Sequence, residues 1–179
     1  MKKYVRITSR LTLAALLAGS LYLLPTAKAA EESKTTTESK LSMNDKKFLK
    51  KAYRGGMEEV ETAKIAKDKA TNDATKEVAD RMISDHTKAN EDLKKIAEEE
   101  NLDLSTIEAR MGKFSDANFD KEYLTMLKKD HEKDIAEFEK EANDTGAKED
   151  SDVVAFAKKI LPTLKHHLKM VEDALAKVQ

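Results

Sequence analysis

Three histidines lie at the centre of the apolar stripe of three different segments with helical periodicity: His86, His131 and His167. Glu59 lies on a fourth such segment, at about the same height along the predicted helix. Ionisable side chains seldom occupy a core-facing stripe unless they have partners there. These four residues therefore predict a polar cluster inside a helical bundle.

Three imidazoles and one carboxylate form a donor set that suits a single divalent ion such as zinc, copper or iron. Dinuclear iron bundles instead carry Glu-x-x-His on two of their helices. Here the residues three positions before the histidines are Ile83, Lys128 and Leu164, so that motif is absent. The sequence thus favours one metal ion and disfavours a dinuclear iron ferroxidase.

The alternative is a hydrogen-bonded polar layer without chemistry, because buried polar groups also serve to fix helix register. Partners for the imidazoles are available from Asp85, Asp130 and Asp134. The sequence contains no cysteine, no nucleophilic serine motif and no Gly-rich phosphate loop. It therefore predicts no catalytic residue and leaves open whether the protein is an enzyme or a scaffolding or stress-related binding bundle.

Four long segments carry the helical periodicity, and they span about residues 45–70, 73–100, 116–143 and 151–178. No competing strand-like alternation occurs in this part of the chain. The pattern predicts an all-α, antiparallel up-down-up-down four-helix bundle.

Two local signals refine the first helix of the predicted bundle. Asn44 is expected to be its N-cap, with Met43 and Phe48 at the spacing of a hydrophobic staple. Gly55 and Gly56 each cost about 1 kcal/mol of helix stability relative to alanine. A close helix crossing is the usual reason for such a pair, so we expect one near Glu59.

The N-terminus has the pattern of a secretory signal peptide over residues 1–29. A basic start precedes an apolar segment from Leu11 to Leu24, and Ala27-Lys28-Ala29 resembles a cleavage site. Residues 30–43 are predicted to be a disordered linker, and residues 44–178 to form the bundle domain. We therefore expect export to the periplasm or cell envelope, with membrane attachment only if the apolar segment is not cleaved.

The composition of the mature chain limits its partners. Removing the five basic residues of the predicted signal peptide leaves 28 Lys and Arg against 34 Asp and Glu. This acidic balance argues against a nucleic-acid partner, which requires a basic surface. A homodimer and an unidentified protein partner both stay open.

Four short segments of the chain resemble the bacterial exported family called "domain of unknown function 4142", which is grouped with ferritin-like bundles. They are Phe48–Glu61, Asp85–Asn90, Asp130–Glu132 and Leu161–Leu168. The similarity covers about residues 44–175. It implies the fold and an exported location, but no activity. The family's recurring polar residues correspond to Glu59, Glu61, His86, His131 and His167, whereas the family usually has another residue at His166.

Overall fold

Four long α-helices make up the protein in the computed structural model, which describes residues 40–144 and 151–178. Their bounds are Met43–Lys69 (α1), Asp73–Glu99 (α2), Phe119–Ala142 (α3) and Asp152–Leu175 (α4). The predicted all-α four-helix bundle is confirmed. The predicted signal peptide and most of the predicted linker lie outside the described residues. Among the described helices, none combines the length and apolar character needed to span a membrane.

The helices run up, down, down, up, which corrects the up-down-up-down order expected from the sequence. The amide of Thr71, in the turn between α1 and α2, donates a hydrogen bond to Asp120 at the start of α3 (3.0 Å). Asp92, near the end of α2, pairs with Lys159 near the start of α4 (2.8 Å). Helices α2 and α3 are therefore parallel and lie diagonally, while α1 packs on α2 and α3. The prediction was wrong because helical periodicity does not show to which end of a bundle a long connection returns.

The connection between α2 and α3, residues 101–115, runs along the whole bundle, and we call it the crossover. Leu104 packs into the core near the end of α2, which we call the base. Halfway along, the amide of Arg110 donates to a Glu58 carboxylate oxygen (3.0 Å). At the opposite end, the top, the Phe114 ring lies 5.4 Å from that of Phe119. One long crossover is typical of ferritin-like bundles.

The core consists of two apolar clusters, one at the base and one at the top. The base cluster includes Leu49, Leu93, Phe138, Phe156 and Leu164. The top cluster includes Val78, Met82, Tyr123, Leu127 and Val171. Both clusters combine side chains from all four helices, so the residues between them are held at a fixed height in the bundle.

Helix α1 begins earlier than the sequence predicted. Ser42 is its N-cap: the Asp45 amide donates to the Ser42 hydroxyl (3.1 Å), and the Ser42 amide donates to the Asp45 carboxylate (2.8 Å). The expected cap at Asn44 is therefore wrong, because this reciprocal capping box satisfies more of the free amides. The expected staple between Met43 and Phe48 is also absent, since Met43 is 69% exposed.

The glycine pair in α1 includes one close approach. A Cβ atom built on Gly56 would lie 3.0 Å from Cγ of Asn90 on α2, whereas one on Gly55 would lie 3.9 Å from its nearest neighbour, Asp134. We therefore expect Gly55→Ala to stabilise the protein by up to about 1 kcal/mol through helix propensity. Gly56→Ala should destabilise it by about 1–3 kcal/mol because Asn90 must move. Urea denaturation of the two variants checks this, and equal effects would contradict the close crossing.

A buried carboxyl pair joins α1 to α3 at the base. Asp45 is 5% exposed and Glu141 is 7% exposed, and their carboxyl groups contact each other. Asp45 Oδ1 and Glu141 Oε1 have no other hydrogen-bond partner among the described residues. Burial and the Asp45 carboxylate raise the pKa of Glu141 to about 7. The pair therefore shares a proton in neutral solution.

Glu141→Gln should reduce the pH dependence of stability, since the Gln amide can donate to Asp45 at any pH. A carboxyl group with a raised pKa stabilises the fold fully below its unfolded pKa, and this contribution is lost as pH rises through about 7. The free energy of unfolding of the parent protein should therefore fall between pH 5 and pH 8 by about 1–3 kcal/mol more than that of the variant. Urea denaturation at the two pH values measures this difference, and parallel pH profiles would refute the shared proton.

Candidate metal centre

A layer of four ionisable side chains separates the two apolar clusters. Glu59 of α1, His86 of α2, His131 of α3 and His167 of α4 are 4%, 7%, 0% and 0% exposed. The structure thus brings together all four residues that the sequence selected. Their convergence follows from their positions on the inward stripes of four helices of similar length.

Glu59 lies between two of the imidazoles. Its Oε2 is 3.0 Å from Nε2 of His86, and its Oε1 is 3.2 Å from Nδ1 of His131. Neither Glu59 oxygen has a well-aligned donor, although the proximity of His86 Nε2 still stabilises the Glu59 charge. Burial alone would raise the pKa of Glu59, but the imidazoles, above all His86, lower it to about 2. Glu59 is therefore a buried carboxylate in its charged form.

A chain of polar contacts runs from Glu59 through two imidazoles to the edge of the bundle. His131 Nδ1 lies 3.0 Å from the Leu127 carbonyl, and His131 Nε2 lies 3.2 Å from Nδ1 of His167. His167 Nε2 lies 2.9 Å from Asp85 Oδ2. Arg81 pairs with the same Asp85 oxygen at 2.7 Å. This arrangement fixes the orientation of both rings.

The positions of the protons on the two rings follow from their partners. His131 Nδ1 faces only acceptors and so carries a hydrogen, and His167 Nε2 faces Asp85 and also carries one. Burial lowers the pKa of His131, and burial with the neighbouring His86 lowers that of His167 to about 4. Both rings are therefore neutral at pH 7. With these tautomers, the remaining nitrogens, His131 Nε2 and His167 Nδ1, face each other with their lone pairs at 3.2 Å.

Two facing lone pairs are unfavourable by themselves and favourable around a cation. Two nitrogens bound to zinc at 2.0–2.1 Å and at the tetrahedral angle are about 3.3 Å apart. One ring nitrogen from each of His86, His131 and His167 lies within 4.8 Å of the others. Three imidazoles suit zinc and related divalent ions, whereas the Glu59 carboxylate lies outside this converging group, beside His86 and Nδ1 of His131.

His86 differs from the other two imidazoles in its charge. Burial alone would lower its pKa, but the adjacent Glu59 carboxylate raises it. Without a metal, His86 and Glu59 therefore form a buried ion pair. A metal ion at this position would have to displace the His86 proton, so its affinity would depend on pH.

The other residues that the sequence selected lie further out. Asp85 hydrogen-bonds an imidazole as expected, although its partner is His167 and not the adjacent His86. Burial and the Glu59 charge raise the pKa of Asp134 to about 7 and also that of Asp130. Both carboxyl groups line a cavity beside Glu59.

Two residues noted in the sequence lie on the surface, away from the layer. Glu61 pairs with Lys64 on the surface of α1 (2.7 Å), and His166 is exposed. Sequence reasoning missed Arg81 and the Leu127 carbonyl. The position of Arg81, four residues before Asp85 on a predicted helix, could have indicated that these two side chains form an ion pair.

The fold and the site define a four-helix bundle with one long crossover and a buried histidine–carboxylate layer. The sequence matches the family described as "Domain of unknown function (DUF4142)" over residues 30–174, and the protein belongs to this family. Comparison with curated proteins and with solved structures finds no match.

Proposed function

We propose that this protein binds one divalent metal ion in the cell envelope, with zinc as the best-fitting class. His86, His131 and His167 are the proposed nitrogen ligands, and Glu59 supplies the carboxylate. The observation that carries the proposal is the convergence of one nitrogen from each of three buried imidazoles within 4.8 Å, with His131 Nε2 and His167 Nδ1 only 3.2 Å apart. The buried Glu59 carboxylate, which has no aligned donor, supports the same conclusion.

Metal titration tests the proposal directly. Protein freed of metal with a chelator should bind one zinc ion per chain in isothermal titration calorimetry, with release of protons. His167→Ala should abolish this binding. His166→Ala is the matched control, because it removes the neighbouring exposed imidazole and should leave the stoichiometry at one. If the wild-type protein takes up no zinc, copper, iron or cobalt at micromolar concentrations, the proposal fails.

The second candidate is a purely structural polar layer in a non-catalytic bundle. The His167 contact with Asp85 at 2.9 Å favours it because it satisfies an imidazole without a metal. The ion pair between His86 and Glu59 likewise balances two buried charges without one. Under this alternative, chelation leaves the thermal denaturation midpoint unchanged. The two candidates therefore give opposite results in one experiment.

Export belongs to the same proposal, on the basis of the signal-peptide pattern in residues 1–29. N-terminal sequencing of the protein recovered from the cell envelope should give Ala30 as the first residue. Recovery of the protein in the cytoplasm with Met1 intact would contradict export.

A further inference from the structure

The four proposed ligands are almost completely buried, so a metal ion needs a path to reach them. Three adjoining cavities lie between the surface and this layer. The outer cavity, about 690 Å³, is lined by the end of the crossover and the outer side of α3. The middle cavity, about 240 Å³, lies between α1 and α3 beneath the crossover. The inner cavity, about 20 Å³, touches Glu59 and His86 and holds about one water-sized particle.

Shared wall residues show that the three cavities are neighbours. Asp130 lines both the outer and the middle cavity, together with Gly112 of the crossover. Asp134 and Glu59 line both the middle and the inner cavity. From the surface inward, the order of these wall residues is therefore Asp130, then Asp134, and then Glu59.

The charges along the middle cavity change sign with depth. Its four basic residues are all exposed at the rim: Lys51, Arg54, Arg110 and Lys133. Its acidic residues are half-buried or buried, and the deepest, Glu59, has two carboxylate oxygens without an aligned donor. The deepest charge on the path is therefore the negative Glu59 carboxylate, which favours a cation over an anion.

We propose that the cavity between α1 and α3 is the path by which a divalent cation reaches the histidine layer, and that Asp130 and Asp134 bind the cation on the way. This inference rests on the proposed metal binding. The crossover covers the path, and Gly55 on α1 leaves its wall open because it has no side chain.

Stopped-flow absorbance with cobalt(II) as the probe tests the proposal on the metal-free protein, recovered with the N-terminus it carries in cells. The double variant Asp130→Asn and Asp134→Asn should bind cobalt about tenfold more slowly than the parent. Glu132→Gln is the matched control, since it removes an exposed charge from the same helix outside all three cavities. Its association rate should stay within twofold of the parent.

A second variant tests the path through shape instead of charge. Gly55→Leu fills the wall of the middle cavity and should slow association and dissociation alike, so the equilibrium dissociation constant stays within about threefold. Circular dichroism confirms that each variant is folded. Association rates equal to that of Glu132→Gln in both variants would overturn the path while leaving metal binding intact. A parent protein that binds no cobalt would overturn the metal site and the path together.

Discussion

Zinc should raise the thermal denaturation midpoint of the metal-free protein by about 10 °C when the free zinc concentration is one hundred times the dissociation constant. An ion that binds only the folded chain adds about 2.7 kcal/mol to the free energy of unfolding at that concentration. In a bundle of this size, 1 kcal/mol corresponds to about 4 °C. Differential scanning calorimetry with and without zinc measures the shift.

Three comparisons define this prediction. His131→Ala should abolish the shift, because His131 lies in the layer. His166→Ala should retain it, because His166 is exposed. The shift should also be smaller at pH 5.5 than at pH 7.5, since Glu59 raises the pKa of His86 and the proton competes with the metal. A shift that persists in His131→Ala would contradict the proposed ligand set.

Replacing Glu59 by Gln should destabilise the metal-free protein by about 3 kcal/mol at pH 6. The substitution removes the carboxylate that contacts His86 and His131, and breaking a buried ion pair typically costs about 3–5 kcal/mol. Because the pKa of Glu59 is lowered to about 2, its contribution is present above pH 4.5 and lost as pH falls below that value. Because the pKa of His86 is raised, His86 contributes most to the free energy of unfolding below pH 6.5. This contribution is lost as pH rises through the raised pKa.

The difference between parent and Glu59→Gln should therefore be largest between pH 4.5 and 6.5 and should shrink toward pH 9. Urea denaturation in the presence of a chelator measures it. Glu61→Gln is the control, because Glu61 lies on the same helix but pairs with Lys64 on the surface. That variant should change the free energy of unfolding by less than about 0.5 kcal/mol. A pH-independent loss in Glu59→Gln would show that packing, and not the ion pair, is responsible.

The sequence contained enough information to place the candidate centre. A period of 3.6 residues determines which side of a helix faces the core, and it correctly placed Glu59, His86, His131 and His167 inside. Their common height followed from four helices of similar length. The period did not reveal the direction of α3, because that depends on the course of the crossover, whose few apolar residues pack at both ends of the bundle.

The contacts within the layer could not be predicted for a different reason. Sequence neighbours on a helix point in directions about 100° apart, so Asp85 faces away from His86 and meets His167 of another helix. Which carboxylate meets which imidazole thus depends on the packing of pairs of helices. The proton-sharing pair of Asp45 and Glu141 was missed for the same reason, since the two residues are far apart in the chain.

The crossover divides the chain, and with it the proposed ligands, evenly between two helical hairpins. The α1–α2 hairpin carries Glu59 and His86, and the α3–α4 hairpin carries His131 and His167. Neither hairpin has a complete ligand set. If the crossover were cut by a protease, the two fragments would have to associate before either could hold an ion tightly, so zinc should act as a reversible crosslink that reassembles the severed protein.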